Sequence, residues 1–116
     1  MELSIEVKRR KDATILTCRG MIVHGQASDY LFAVVTRPDR RDVVLDMQEV
    51  TKVDEAGIFV IVLCYELLTA SKRRLFLRNA SSDVIEGLRR QQTDKTNNAA
   101  AGASIAALKT QYRSVQ

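Results

Sequence analysis

Five consecutive residues, at positions 53–57, are the part of this sequence best suited to charge chemistry. Asp54 and Glu55 supply two carboxylates between a β-like stretch at 43–47 and a nearly unbroken apolar run at 58–65. A turn that leads into a helix presents free backbone N–H groups and the positive end of the helix dipole, which stabilise a carboxylate or a phosphate. The residues that follow Asp54 therefore decide how this turn can be regulated.

Groupings typical of catalysis, or of metal and cofactor binding, do not occur in the sequence. It has no Gly-rich phosphate loop, no cluster with metal-ligand spacing and no nucleophile–base pair. His24 is the only histidine, and a lone loop histidine faces solvent more often than it senses pH or binds a ligand. Ser81 and Ser82 are typical of a helix cap. We therefore expect no catalytic residues, no metal and no cofactor.

Composition indicates one globular domain. The 116 residues are enough to bury a core, and contents of 46% hydrophobic and 28% charged residues are ordinary. Basic runs at 8–11, 37–41 and 72–74 contribute to the net charge of +4. Such runs suit nucleic acid or an acidic partner, but more often they are solvated loop ends and helix C-termini. Scarce aromatics and the absence of Trp argue against a base-stacking surface, and we expect no nucleic-acid partner.

The cellular location is predicted from the cysteines and from the N-terminus. Cys18 and Cys64 are lone cysteines within apolar stretches, which is typical of buried thiols in a reducing compartment. The first residues have no targeting pattern, and the longest apolar run is far shorter than the roughly 20 residues that span a bilayer. We expect a cytoplasmic protein without direct membrane insertion.

Hydrophobic patterns predict the order β-β-α-β-α-β-α, hence an α/β fold in which helices pack against a mixed sheet of about four to five strands. Ser28 is the expected cap of the first helix, Asp54 of the second, and Ser81 or Ser82 of the third. The predicted strands are 3–7, 13–18, 43–47 and 75–77, with a loop or short strand at 21–25, and the predicted helices are 27–36, 57–70 and about 82–90.

The sequence changes character after residue 91. Residues 91–98 are polar and aperiodic, whereas residues 99–108 are rich in alanine. The second stretch predicts either a last helix, with Ile105, Leu108 and Tyr112 docked on one face, or a frayed tail. We therefore divide the chain into a domain at 1–91 and an Ala-rich C-terminal segment at 92–116, which is a candidate final helix of the same domain.

Residues 43–90 resemble the STAS domain of anti-sigma-factor antagonists. The resemblance includes the strand that ends in Leu45-Asp46, the V-x-x-V-D-x-x-G pattern from Val50 to Gly57, the apolar helix after it and the next strand. Residues 16–20 are similar to the family's hairpin strand that ends in glycine. This resemblance implies a STAS-like fold that is not itself an enzyme and that works by binding an anti-sigma factor, a kinase-like protein or another regulatory protein.

The resemblance also places a regulatory position in the turn. The family's turn usually reads Asp-Ser-Ser-Gly, and a partner kinase that is also the anti-sigma factor phosphorylates the first serine. Asp54 and Gly57 match that pattern, but Glu55 stands at the phosphoacceptor position and Ala56 follows it. Other departures are Val23 where an acidic residue is common, Ser71 where a glycine often ends the second helix, and an unclear last strand. We therefore expect a binding site that lacks the usual phosphorylation switch, in which Glu55 either mimics the phosphorylated state or suits a partner that never phosphorylates it.

Helical spacing extends this site beyond the turn. Residues three, four, seven and eleven positions after Glu55 share one helix face, which places Ile58, Phe59, Val62 and Glu66 beside it. If exposed, this face is an apolar patch rimmed by charge, as docking surfaces are; the alternative is that its apolar residues are core. The predicted partner-binding residues are Asp54, Glu55, Ala56, Gly57, Ile58, Phe59 and Val62.

Two functions remain open from the sequence. The first is an interaction module that resembles an anti-sigma-factor antagonist and binds a regulatory partner through residues 54–62. The alternative is a STAS-like accessory subunit of a membrane transport complex of the ABC type. The sequence does not decide whether the protein is a homodimer.

Overall fold

The computed structural model describes residues 2–94, which form four strands and three helices. In chain order the elements are β1 (Ser4–Arg9), β2 (Ala13–Ile22), α1 (Gln26–Val35), β3 (Asp42–Val53), α2 (Glu55–Ala70), β4 (Leu75–Arg78) and α3 (Ser82–Asp94). Their order agrees with the order predicted from the hydrophobic patterns. Among the described residues, no helix is long and apolar enough to cross a membrane.

The strands form one mixed sheet in the order β1-β2-β3-β4. β1 is antiparallel to β2, whereas β2–β3 and β3–β4 are parallel pairs. The parallel pairs are joined through α1 and α2, and right-handed crossovers in the same direction place both helices on one face of the sheet. The predicted α/β fold with a mixed sheet is confirmed.

The core lies between the sheet and its helices. Leu16 and Cys18 of β2 and Leu45 of β3 are almost fully buried, and α1, α2 and α3 pack as a layer in which α2 contacts both neighbours. Because α2 is central, it buries residues on two sides, which include Ile61, Val62, Cys64 and Leu68. This central position determines which part of α2 faces solvent.

Two strands, β2 and β3, extend well beyond their predicted ends. β3 continues through residues 48–53, because this polar half pairs with the end of β2 from Arg19 to Ile22. β2 therefore does not end at Gly20. This residue has a φ of 105° and lies at an irregularity in the pairing of β2 with β3. A Cβ on Gly20 would overlap the carbonyl oxygen of Glu2, so glycine is required there both by φ and by space.

The helix starts agree with prediction in two cases of three. Asp54 caps α2, and the Ser81 hydroxyl accepts a hydrogen bond from the Val84 N–H at 3.2 Å at the start of α3. The prediction for α1 was wrong: the helix begins at Gln26 after Gly25, and Ser28 lies inside it with its hydroxyl donating to the Gly25 carbonyl at 3.0 Å. α3 extends past the predicted boundary at 91, and residues 95–116, including the predicted terminal helix, lie outside the described residues.

Candidate partner-binding site

Asp54 is the structural centre of the turn before α2. One carboxylate oxygen accepts a hydrogen bond from the Gly57 N–H at 2.8 Å, and the other accepts from the His24 N–H at 3.0 Å. The first bond caps α2, and the second ties the loop after β2 to the same carboxylate. Asp54 thereby fixes two segments 30 residues apart in sequence in one arrangement.

The two hydrogen bonds also set the charge state of Asp54. Partial burial by itself raises the pKa of the carboxyl, but the N–H groups of His24 and Gly57 favour the ionised form more strongly, and His24 and Lys52 add to this. The net result is a pKa below its ordinary value. The capping group is therefore a carboxylate at neutral pH.

Gly57 is required at this position because the turn is tightly packed. A Cβ on Gly57 would overlap the carbonyl oxygen of Ile22 and lie 2.8 Å from Cγ1 of Val53. The same Ile22 carbonyl accepts a hydrogen bond from the Asp54 N–H at 3.3 Å. The first turn of α2 thus lies directly against the end of β2, and any side chain larger than hydrogen at residue 57 would separate them.

Glu55 is the first residue of α2 and its side chain is exposed. A carboxylate at the first helical turn is stabilised by the helix dipole, typically by about 0.3–1 kcal/mol at an exposed position. A cavity of about 270 Å³ lies beside Glu55 between the start of α2 and α3, and Asp83 and Arg90 of α3 line it. The sequence did not indicate that these two α3 residues belong near the turn, because no short-range pattern links them to it.

The face of α2 that was counted from Glu55 is exposed only in part, because two of its apolar residues belong to the core. Ile58 and Val62 are 5% and 1% exposed, whereas Phe59 is 44% exposed. Ile58 packs against α3, where a Cβ added to Gly87 would lie 3.0 Å from its Cδ1. α2 is apolar on nearly all sides, so counting positions from Glu55 did not distinguish the side under α3 from the side facing solvent.

An exposed apolar strip does follow the turn, along a different line of the helix. It consists of Ala56, Phe59, Val60, Leu63 and Leu67, which we call the α2 strip. Phe59 and Leu67 are more than two-fifths exposed and the other three are half-buried. Their spacing of three and four residues places them on one outward face, which begins at Glu55. The structure therefore brings together Asp54, Glu55, Ala56, Gly57 and Phe59, with Ile58 and Val62 beneath them.

His24 contributes to the turn through its backbone. The imidazole is exposed, and the hydrogen bond to Asp54 comes from the main-chain N–H. Among the described residues, no group of His, Cys, Asp and Glu side chains is arranged to hold a metal ion. The arrangement as it stands supplies a rigid turn, an exposed carboxylate and an apolar strip.

Comparison with known proteins identifies the family. The sequence matches the STAS domain family over residues 4–104, and the chain therefore belongs to that family. A comparison with curated proteins gives no match.

Solved structures with a similar fold include three different kinds of chain. The anti-sigma factor antagonist SpoIIAA in its unphosphorylated form superimposes with a TM-score of 0.59 and 14% identity, covering 72% of this chain and 79% of that one. Mglu gives a TM-score of 0.57 and 26% identity over 62% of this chain and 18% of its own. The murine anion transporter Solute Carrier 26 family member A9, in the inward-facing state, gives a TM-score of 0.60 and 15% identity, and the match covers 87% of this chain and 20% of the transporter chain. The chain thus spans about a fifth of the length of the last two.

Proposed function

We propose that this STAS domain protein binds a regulatory protein through the surface formed by Glu55 and the α2 strip, without catalysing a reaction. The observation that carries the proposal is the exposure of Phe59 and Leu67 directly after the turn that the family uses as its switch. An apolar centre with a charged edge is the usual composition of a protein-binding surface. The partner we propose is an anti-sigma factor or another kinase-like regulator.

The rigidity of the turn supports this role. Asp54 and Gly57 hold the first turn of α2 against β2, so Glu55 and Phe59 are presented on a fixed backbone. A preorganised surface loses less conformational entropy on binding than a flexible one. Ile58 and Val62 support this surface from within the core and are not expected to contact the partner.

Binding of a purified kinase-type anti-sigma factor, measured by calorimetry, tests the proposed surface. Phe59→Ala is expected to weaken binding by at least about tenfold, since an exposed aromatic at the centre of an interface typically carries 1–2 kcal/mol or more. Phe76→Ala is the matched control, because the register of β4 places Phe76 beside Val44 on the sheet face away from the helices. Equal affinity for wild type and Phe59→Ala would exclude the α2 strip as the binding surface.

The role of Glu55 is tested separately by Glu55→Ser. We propose that Glu55 holds the acceptor position in one charge state, so the variant restores a hydroxyl where the family carries one. The Glu55→Ser protein is expected to become a kinase substrate or to change its affinity for the partner. Glu55→Gln is the control, because it removes the negative charge without adding a hydroxyl. If the Glu55→Ser protein is neither phosphorylated nor altered in partner affinity, residue 55 is not a former phosphorylation switch that Glu55 holds in one state.

A second candidate is a role in a membrane transport complex. It is favoured by the similarity to a chain that is itself an anion transporter, whose match covers 87% of this chain. At 15% identity this similarity concerns the fold alone, so it is weaker support than the turn. Co-purification with a transport ATPase in the membrane fraction, lost on Phe59→Ala and kept on Phe76→Ala, is the result this candidate requires.

A further inference from the structure

The three basic runs of the sequence meet at one end of the sheet. β1 ends where β2, β3 and β4 begin, so segments 8–12, 37–42 and 72–74 are neighbours in space. The Arg41 Nε–H donates to the Arg10 carbonyl at 2.9 Å, and the Arg73 Nε–H donates to the Arg41 carbonyl at 2.7 Å. These segments contain four, three and three basic residues, against three aspartates in all. The predicted solvated loop ends therefore form a single strongly positive region.

A concave site lies within this region. A cavity of about 390 Å³ is bordered by Arg9, Arg37, Arg41 and Arg73, and Thr14 also lines it. The apolar part of its wall comes from β1, β2, β3 and the end of α1. This size is at the lower end of the range for small-molecule sites, which are typically 300–1,000 Å³. Four arginines border one small cavity, which is far more basic charge than a solvated loop end requires.

The guanidinium groups outnumber the carboxylates that face them. Asp39 lies 3.1 Å from Arg41, and its pKa is lowered by hydrogen bonds from the Arg41 and Arg40 N–H groups and by the charge of Arg41. Among the residues that the structure describes, no carboxylate lies within 4 Å of a guanidinium nitrogen of Arg9, Arg37 or Arg73. Asp39 also lines the cavity and pairs with Arg41, so within the part of the chain that the structure describes the other three arginines have no carboxylate in ion-pair contact.

Arg73 is the least ordinary member of the group. It is only 8% exposed, yet it ends in a guanidinium cation with five N–H donors. Its hydrogen bonds run to the carbonyl oxygens of Arg41 at 2.7 Å and Arg37 at 3.4 Å, which satisfy donors but do not neutralise charge. A buried charge without a counter-ion is costly, and a bound anion would remove that cost.

We propose that this cavity binds the phosphoryl or pyrophosphoryl group of a small ligand. Guanidinium groups recognise phosphate through paired N–H donors, while the Thr14 hydroxyl at the cavity wall donates to the Asp39 carboxylate at 3.4 Å. A concave site with one buried arginine suits a compact anion, whereas a nucleic acid is usually bound by a long exposed track of charge. The cavity lies at the start of β3, whereas the turn at residues 53–57 lies at the end of β3, so the inference does not rest on the proposed function.

The test is a chemical-shift titration of the full chain with inorganic pyrophosphate at about 0.1 M salt. Saturable shifts are expected for the Thr14 amide and the Arg73 Nε–H. The variant pair Arg9→Gln and Arg37→Gln removes two charges from the cavity edge and is expected to weaken binding at least about tenfold. The matched pair Lys8→Gln and Lys11→Gln removes two charges from the same end outside the cavity. It is expected to weaken binding less than about threefold, because exposed charges are screened.

Two results would overturn the proposal. One is the absence of saturable shifts up to about 10 mM pyrophosphate. The other is an equal loss for both variant pairs, which would show diffuse attraction by the whole basic end; duplex DNA binding weakened equally by both pairs would have the same meaning.

Vesicles containing phosphatidic acid then distinguish a lipid headgroup from a free phosphate. If the cavity recognises a headgroup, vesicle binding is displaced by pyrophosphate and is lost with the Arg9 and Arg37 pair. Pyrophosphate binding without vesicle binding assigns the site to a soluble phosphate. Vesicle binding that pyrophosphate does not displace, and that both pairs reduce equally, would refute the cavity as the site.

Discussion

Replacement of Asp54 is the sharpest test of how the turn is held together. Asp54→Ala removes both hydrogen bonds of the carboxylate, from the Gly57 N–H at 2.8 Å and from the His24 N–H at 3.0 Å. Asp54→Asn keeps one acceptor oxygen but places an NH₂ group where the second acceptor was. The amide oxygen can continue to cap α2. The amide nitrogen then faces the His24 N–H, and because both groups are donors no hydrogen bond forms between them.

The two variants should differ in size of effect. Loss of an N-cap typically costs about 1 kcal/mol, and loss of a second hydrogen bond at a partly exposed site costs about 1 kcal/mol more. Asp54→Ala is therefore expected to lower the free energy of unfolding by about 2 kcal/mol, and Asp54→Asn by about 1 kcal/mol. For a domain of this size the first change corresponds to a fall in Tm of about 8 °C.

The pH dependence follows from the lowered pKa of Asp54. The carboxyl binds a proton less readily in the folded state, so its contribution to stability is complete above the unfolded pKa and is lost as pH falls through the folded pKa. Protonated Asp54 has one carbonyl acceptor and one donor, as Asn does. Wild type and Asp54→Asn should thus differ at neutral pH, and the difference should narrow as the pH falls below the ordinary carboxyl pKa of 3.8.

Urea unfolding monitored by circular dichroism at about pH 7 and about pH 3 measures both effects. Asp12→Asn is the control, since it removes one exposed charge and the Asp12 side chain makes no hydrogen bond to any residue that the structure describes. Two results would refute the assignment of two charge-assisted bonds to Asp54. One is an equal free energy of unfolding for wild type and Asp54→Asn at neutral pH, and the other is a difference that does not change at low pH.

Three further predictions concern packing and the thiols. Gly57→Ala should lower the free energy of unfolding by about 2–3 kcal/mol in urea titration, because its Cβ would overlap the Ile22 carbonyl; wild-type stability would disprove that close approach. Burial raises the pKa of Cys18 and Cys64 to about 12, and Asp46 adds to the effect at Cys18. An aromatic disulfide reagent at about pH 8 should therefore label neither thiol until urea unfolds the chain, and immediate native labelling would contradict the buried geometry. Arg73→Gln should lower thermal stability by about 1–3 kcal/mol if the loss of its two bonds to carbonyl oxygens outweighs the relief from burying an unpaired charge, and an unchanged or raised Tm would show that it does not.

The order of elements was predictable because each one carries a local signal. Alternation in β1, the Asp54 cap and the Ser81 cap all act within a few residues, and each predicted feature is present. The second half of β3 was missed because residues 48–52 are mostly polar and exposed, so their strand conformation comes from pairing with the end of β2. Pairing between distant segments leaves no period in the sequence.

The same reasoning explains what was missed at the site. α2 carries apolar residues on almost every side, so helical spacing alone gave no means of separating buried Ile58 and Val62 from exposed Phe59. The separation depends on α2 lying between α1 and α3, which is a property of the topology. The convergence of the three basic runs is likewise a result of strand direction, since even consecutive runs are roughly 25 to 35 residues apart.

Glu55 and a phosphorylated serine are not electrostatically equivalent, and the difference bears on the proposed switch. A glutamate carries one negative charge and two acceptor oxygens, whereas a phosphoserine carries about −1.5 to −2 and three. Both are stabilised at the first turn of α2, but the smaller charge repels an acidic partner less and binds an arginine cluster less strongly. Because Asp54, one residue earlier, is itself ionised, Glu55 adds to a charge already present beside the exposed Phe59. The proposed site is therefore held permanently in an intermediate charge state, so its partner affinity would be set by Phe59 and the α2 strip more than by modification at residue 55.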